Sequence, residues 1–433
     1  MKTTSFKLPG IVLTGHEFQV PLDYAKPDGE TITVFAREVV AVGKTYNEHL
    51  PWLIFFQGGP GFPSPRPTSK HGWLNRAIQD YRVLLLDQRG TGLSSPITFQ
   101  TLARFDSPKK QADYLKHFRA DSIVKDAEFI RNELLKDGQQ WTALGQSYGG
   151  FCLAHYLSAA PEGLKRVIIT GGLPPLTAHI DDIYRATYQR VLSRNELYYE
   201  CYPMDVQRVN DIVAVLRKKP VKLPDGGVLT PERFQQLGIV FGMHEGFEFV
   251  HYLLEEAILA AKSNRGELSY TFLRGLEHAQ AYETNPIYTF LHEAIYCQNF
   301  ASDWSADRVR TEFPQFAPEG SKGRVLFTGE MISKSMFDDY EYLKPLKEAA
   351  EILATYKDWP TLYDVEKLQK NTVPTVAAVY YDDMYVETSY SEETATLIGN
   401  TRTWVTNEYE HNAIRADGDR ILDRLLKMLS GEL

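Results

Sequence analysis

Cysteine is scarce in this chain, with Cys152, Cys201 and Cys297 the only three among 433 residues. An odd number without metal-like spacing supports neither a disulfide framework nor a zinc site. Reduced, structural thiols are expected, which fits a cytoplasmic protein. Long apolar runs are also missing: none approaches the roughly 20 residues of a membrane helix. The opening Met1-Lys-Thr-Thr-Ser-Phe-Lys-Leu-Pro-Gly10 lacks the apolar core of a secretory signal, so none is expected. Charge excess is small, 47 basic against 56 acidic residues and a net charge of −9. That balance argues against nucleic acid or an anionic membrane as partner. Two metalloprotease-like starts are incomplete. His244-Glu245 and His292-Glu293 are followed by Glu248 and Tyr296 where a second histidine ligand belongs, so no metal is expected. Gly58-Gly-Pro-Gly61 lacks the Gly-Lys-Ser/Thr of a phosphate loop. No cofactor is expected, there is no internal repeat, and nothing specifies an oligomeric state.

What is present is enough apolar residue, 43%, for a sizeable core. Residues 1 to about 48 alternate apolar and polar positions around Asp28-Gly29, the pattern of an antiparallel hairpin. Pro51-Trp-Leu-Ile-Phe-Phe56 and Tyr81-Arg-Val-Leu-Leu-Leu-Asp87 are continuous apolar runs, as expected of strands buried on both faces. Between the second run and Trp141, Asp121 or Ser122 can cap a helix carrying Ile123, Ala127, Ile130 and Leu134 at helical spacing. Lys165–Thr170, Val373–Tyr381 and Thr401–Thr406 read as further strands, and Gly418–Leu429 as a final amphipathic helix. Strands alternating with helices imply a parallel sheet with covered faces. From about 175 to 370 the pattern is mainly helical and aromatic, as in His244–Ala261, Asn285–Cys297 and Tyr342–Tyr356. Only Gly323–Gly329 there reads as a strand or buried loop. This block is expected to be a cap inserted into the sheet domain. The division is core residues 1–174, cap 175–370 and core 371–433.

The chain is organised around Trp141-Thr-Ala-Leu-Gly-Gln-Ser-Tyr-Gly-Gly150. Gly145-x-Ser147-x-Gly149 between a strand and a helix is the nucleophile elbow of the α/β-hydrolase fold, where small flanking residues permit a strained turn. A serine nucleophile needs a base and a carboxylate to orient it, and on this fold they follow in the order Ser, Asp or Glu, His. Asp382-Asp383 closes a late strand, with Asp383 preferred and Asp382 an open alternative. His411 is the histidine after the last strand. Backbone N–H groups of Tyr148, directly after the nucleophile, and Gly59, in the glycine turn after the early strand, suit an oxyanion hole.

Gln57-Gly-Gly-Pro-Gly61, Asp87-Gln-Arg-Gly-Thr-Gly-Leu-Ser94 and Gly145-Gln-Ser-Tyr-Gly-Gly150 together resemble the proline iminopeptidases, α/β-hydrolase serine peptidases. The likeness continues through Asn285-Pro-Ile-Tyr288, Thr328-Gly-Glu-Met-Ile332, Tyr381-Asp-Asp-Met384 and Glu408-Tyr-Glu-His411. It therefore covers nearly the whole chain and matches the longer members with a large cap. Gln57 departs from the histidine many members place there. The resemblance implies release of N-terminal proline from short peptides, with cap glutamates holding the substrate amine. Glu293, in a Glu-x-x-Tyr pattern, is the first choice for that role, Glu330 the second and Glu245 the third. An aminopeptidase of other N-terminal specificity, an esterase or amidase, and a non-catalytic receptor remain the alternatives on this scaffold.

Overall fold

The computed structural model describes residues 2–135, 138–257 and 267–433. Its large sheet has nine strands in the order β1-β2-β3-β5-β4-β6-β7-β10-β11. These are β1 (Lys2–Leu8), β2 (Ile11–Pro21), β3 (Thr31–Ala41), β4 (Trp52–Phe56), β5 (Arg82–Asp87), β6 (Trp141–Gln146), β7 (Leu164–Thr170), β10 (Thr375–Tyr380) and β11 (Thr401–Thr406). A small hairpin, β8 (Val221–Lys222) and β9 (Val228–Leu229), stands apart. β2 and β3 form the expected hairpin, pairing Phe18 with Val34 on either side of Asp28-Gly29. From β5 to β11 the neighbours are parallel, which requires helical crossovers and covers both faces. β1 is an addition to the expected hairpin. Its Thr3–Lys7 side chains are exposed, so it lacks the apolar face that marks a buried strand.

Side chains alternate across the sheet and build two cores. On one face Leu53 and Phe55 meet Trp73 and the Ile421, Leu422 and Leu425 stripe of the helix Gly418–Ser430. On the other, Ile54 and Phe56 meet Ile123, Ala127 and Ile130 of the helix Ala120–Leu134. That second core continues without a break into Tyr188, Tyr198 and Phe327 of the segment between β7 and β10. Polar interruption of β4 would leave an unpaired group in one core or the other, which accounts for its uninterrupted apolar run.

The segment between β7 and β10 is mainly helical, led by Ile180–Cys201 and Asp205–Lys218. The helical reading of His244–Ala261 is realised as Gly246–Glu255, and residues 258–261 lie outside the described residues. Asn285–Cys297 contains the short helix Pro286–Leu291 followed by turns, and Tyr342–Tyr356 contains Lys347–Ala354. Gly323–Gly329 is a loop, exposed at Gly323 and Arg324 and largely buried from Val325 onward. Phe327 N–H donates to Asn195 Oδ1 at 2.8 Å and Thr328 N–H to Gln235 O at 2.9 Å, so helices satisfy its backbone. The helix expected to start at Asp121 or Ser122 starts at Ala120, with Arg119 at its N-cap. The Arg119 guanidinium instead reaches the carbonyls of Ala294, Cys297 and Pro360 at 3.0, 2.7 and 2.8 Å, tying the sheet domain to the insertion.

The turn after β5 is anchored by Arg89, which is fully buried. Its Nη2 and Nε donate to Asp126 at 2.5 and 2.7 Å, and its remaining N–H groups meet the carbonyls of Leu22, His117 and Pro21. Tyr24 O–H also donates to Asp126, at 2.8 Å. Deleting one member of such a buried pair strands the other charge, at a cost of about 3–5 kcal/mol. Arg89→Leu is therefore expected to lose that much stability in urea unfolding. A loss under about 1 kcal/mol, the size typical of exposed pairs, would contradict this account.

Candidate active site

β6 ends at Gln146 and the next helix starts at Tyr148, which leaves Ser147 alone to make the turn. It does so at φ 54° and ψ −126°, a region disfavoured for a residue with a side chain. The strain is held by Ser147 N–H donating to Thr170 O at 3.0 Å and by Ser147 O accepting from Gly150 N–H at 2.7 Å. Ser147 is thereby presented to a cavity of about 200 Å³, whose wall also includes Gly59, Glu330 and His411.

His411 Nδ1 is bonded to Asp383 Oδ2 at 2.6 Å. The second carboxylate oxygen of Asp383 accepts from the N–H groups of Tyr385 and Val386 at 2.8 and 3.1 Å, fixing the group where β10 ends. Asp383 is buried, whereas Asp382 is half exposed, 3.5 Å from Arg190. Burial pushes the His411 pKa down, but the charge and hydrogen bond of Asp383, helped by Glu330, outweigh it and leave it above the ordinary value. With Nδ1 occupied by Asp383, Nε2 is the nitrogen left for the cavity. Among the described residues, Ser147 Oγ forms no hydrogen bond to His411, and the two meet across the shared cavity. Nor do the Gly59 and Tyr148 N–H groups have a hydrogen-bonded acceptor among the described residues.

Three glutamates expected at the amine site occupy three different environments. Glu330 lines the cavity, accepts from Tyr288 O–H at 2.6 Å and lies 3.4 Å from His292 Nε2. Burial raises its pKa, but His292, the Tyr288 hydroxyl and His411 together bring it below the usual glutamate value. Glu293 faces away from this cavity, into a separate small void beside Ser302 and Trp304. There its Oε1 accepts from Ala306 N–H at 2.9 Å, and burial pushes its pKa up to about 7. Glu245 is exposed at the start of the helix Gly246–Glu255 and is not part of the cavity wall. The structure thus brings Ser147, Asp383, His411, Gly59, Tyr148 and Glu330 into one region and leaves Glu293 and Glu245 outside it.

Four side chains of the site went unassigned on sequence grounds: Tyr288, His292, Tyr385 and Arg415. Tyr288 and His292 are four residues apart on one helical face, with ring centroids 4.9 Å apart, and both turn toward Glu330. That i,i+4 spacing is the signal the sequence offers for the pair. Tyr385 packs edge-on against His411 at 4.7 Å. Arg415, in the short helix Ala413–Ala416, lies four residues beyond His411 and lines the cavity. Among the described residues, no group of three or more His, Cys, Asp and Glu side chains is arranged to hold a metal ion, and no helix is long and apolar enough to cross a membrane.

Residues 51–202 match the family model described as the alpha/beta hydrolase fold. A proline iminopeptidase of Aeromonas sobria is 48% identical over 424 residues, covering 98% of each chain. A proline iminopeptidase of Aspergillus aculeatus is 38% identical over 420 residues, covering 95% of this chain and 92% of that one. Such identity, over alignments that cover 95% or more of this chain, leaves one conclusion: the chain belongs to the proline iminopeptidase family of α/β-hydrolases.

Proposed function

We propose that the protein is a serine exopeptidase that releases N-terminal proline from short peptides. The observation that carries this reading is the Glu330 carboxyl in the same cavity as Ser147 and His411, held below the usual glutamate pKa by His292, the Tyr288 hydroxyl and His411. A free N-terminal amine is largely cationic near neutral pH, and enclosing it is costly unless a carboxylate meets it. Glu330 supplies that charge, with Tyr288 holding its orientation. Glu293, whose pKa burial pushes up to about 7 and which is turned away, is unsuited to the task. Phe62, Ile239, Val240 and Tyr282 give the cavity apolar walls for a pyrrolidine ring. Residues 1–174 and 371–433 serve as the catalytic core and 175–370 as the cap. Three free cysteines and a net charge of −9 fit a cytoplasmic enzyme without nucleic-acid or membrane partners.

In this mechanism Ser147 Oγ attacks the prolyl carbonyl while His411 Nε2 takes its proton. Asp383 holds the imidazole and stabilises its charged form. The Gly59 and Tyr148 N–H groups receive the negative oxygen of the tetrahedral intermediate. His411 then gives the proton to the departing amine, leaving a prolyl ester on Ser147. Water attacks this ester with His411 again as base and frees proline.

Three outcomes test the assignment. Ser147→Ala is expected to lower kcat on a prolyl arylamide by about 10⁶-fold and Asp383→Asn by about 10⁴-fold. Asp382→Asn should cost far less, and the reverse ranking would overturn the choice of acid. Glu330→Gln is expected to reduce kcat/KM for free prolyl substrates by at least about tenfold, or about 1.4 kcal/mol, while sparing a small acyl ester. Glu293→Gln should not show this selectivity, and equal losses on amine and ester substrates would remove Glu330 from amine binding. The third outcome is a pH profile. His411 acts as base only when neutral, so kcat/KM must fall as pH drops through its pKa, which Asp383 and Glu330 hold above the ordinary imidazole value. Because Glu330 is one cause of that elevation, Glu330→Gln should move the acid limb to lower pH. A limb that stays put or moves upward would contradict the electrostatic link.

A further inference from the structure

The catalytic cavity is bordered by a second one of about 500 Å³, and Gln57, Phe62 and Arg415 line both. Arg415 is exposed, and its side chain borders the two cavities at their junction. Two neutral acceptors hold it: the Gln57 side-chain oxygen at 2.6 Å and Gln146 Oε1 at 3.5 Å. Among the described residues no carboxylate pairs with it. Glutamine fixes the direction of a guanidinium without cancelling its charge, so that charge remains available to a ligand. The nearby Arg66 differs, since Asp87 neutralises it through contacts of 2.8 and 2.5 Å.

Position gives this free charge a meaning. Gln146 immediately precedes Ser147, and Arg415 lies four residues beyond His411. The histidine must protonate the departing amine, so the residue after the scissile bond has to leave past His411, on the side where Arg415 stands. Apart from His411 and the phenols of Tyr282, Tyr288 and Tyr385, the ionisable side chains in the wall of the catalytic cavity are Glu330 and Arg415. One suits a cationic amine and the other an anionic carboxylate. A dipeptide or tripeptide at neutral pH carries both, one at each end.

Resting on the proposed exopeptidase reading, we infer that the second cavity is the leaving-group subsite and that Arg415 binds the C-terminal carboxylate of a very short peptide. Arg415 is then a specificity residue that selects substrates by the distance between their two charged ends. Its bidentate fork suits a carboxylate, and an amide in the same place would leave the guanidinium charge unanswered.

The test uses the full-length enzyme and the ratio of kcat/KM for a free peptide to that for its C-terminal amide. Pro-Gly, Pro-Gly-Gly and Pro-Gly-Gly-Gly, each with its amide, form the series, and a prolyl arylamide reports on the underlying activity. The unmodified enzyme is expected to favour the free acid by at least about tenfold for one of the two shortest peptides. Arg415→Gln should bring that ratio close to one, and Arg415→Lys should keep part of it. Ratios near one throughout the series, or a ratio that Arg415→Gln leaves unchanged, would overturn the subsite. So would a loss on the arylamide equal to that on the free peptide, which would make Arg415 a support for the histidine loop. Failure of the exopeptidase reading looks different, because the unmodified enzyme would then not hydrolyse the prolyl arylamide at all.

Discussion

The site depends on backbone packed directly against backbone around Ser147. A Cβ added to Gly149 would stand 2.1 Å from Phe56 O, at the end of β4, and one on Gly172 would stand 2.2 Å from Ser147 O. These are distances at which no side-chain adjustment helps, because the atom met is itself main chain. The absence of side chains lets the helix Tyr148–Ala159 enter against the ends of β4 and β7. The same closeness brings the turn after β4 beside the nucleophile: a Cβ on Gly58 would lie 2.9 Å from Ser147 Cβ. Nucleophile and Gly59 N–H are neighbours for this reason, although 88 positions separate them in sequence. The strained φ of Ser147 follows from the same packing, which leaves the chain no other path from strand to helix.

Around this fixed point, surroundings rather than residue type decide what each carboxylate can do. Asp382 and Asp383 are adjacent, yet one is half exposed beside Arg190 and the other buried with both oxygens bonded. Glu330 and Glu293 are both buried. Glu330 has a hydroxyl, two imidazoles and a cavity; Glu293 has the Ala306 N–H and the Ser302 hydroxyl, which do not offset the cost of its burial. The first is kept charged and the second is driven toward neutrality, as the balance between desolvation and partners requires. Together the two form a pair of acids with separated protonation states, and only the charged one faces Ser147.

This balance also explains what the sequence could and could not disclose. Buried strands announce themselves by uninterrupted apolar runs, and β4, β5 and β10 follow such runs, whereas β7 and β11 stand where strands were expected although Lys165, Arg166 and Arg402 interrupt them. The elbow was legible because its glycines are needed locally. Asp383, being second to leave its strand, was distinguishable from Asp382 by strand geometry, although only the 2.6 Å contact with His411 picks it out. The cap glutamates were not distinguishable in this way. Whether Glu293 or Glu330 faces the cavity depends on the rotation of a single-turn helix, Pro286–Leu291, and on a loop whose backbone is satisfied by Asn195 and Gln235. No local pattern encodes that rotation, and the Glu-x-x-Tyr spacing favoured Glu293 for a likeness of residues rather than of direction. The Arg119 cap was hidden for a related reason, since its partners lie 175 to 241 positions away.

The insertion and the sheet domain are mechanically joined at the residue where they matter most. His411 N–H donates to Gly242 O at 3.2 Å, the neighbouring Glu410 pairs with Arg194 at 2.9 Å, and Asn412 accepts from His244 N–H at 2.9 Å. Gly242, Arg194 and His244 all belong to the insertion, so three successive residues of the histidine loop are gripped from above. From below, the Asp383 carboxylate holds the imidazole. The proposed base is thus suspended between the element that would recognise the amine and the element that carries the nucleophile. A rigid displacement of the insertion cannot leave His411 unchanged, because the energy of those contacts is shared with its loop. Binding contacts made to the insertion by an amine at Glu330 therefore bear on the position of the imidazole as well as on affinity. That coupling lets interactions remote from the scissile bond be expressed in the chemical step.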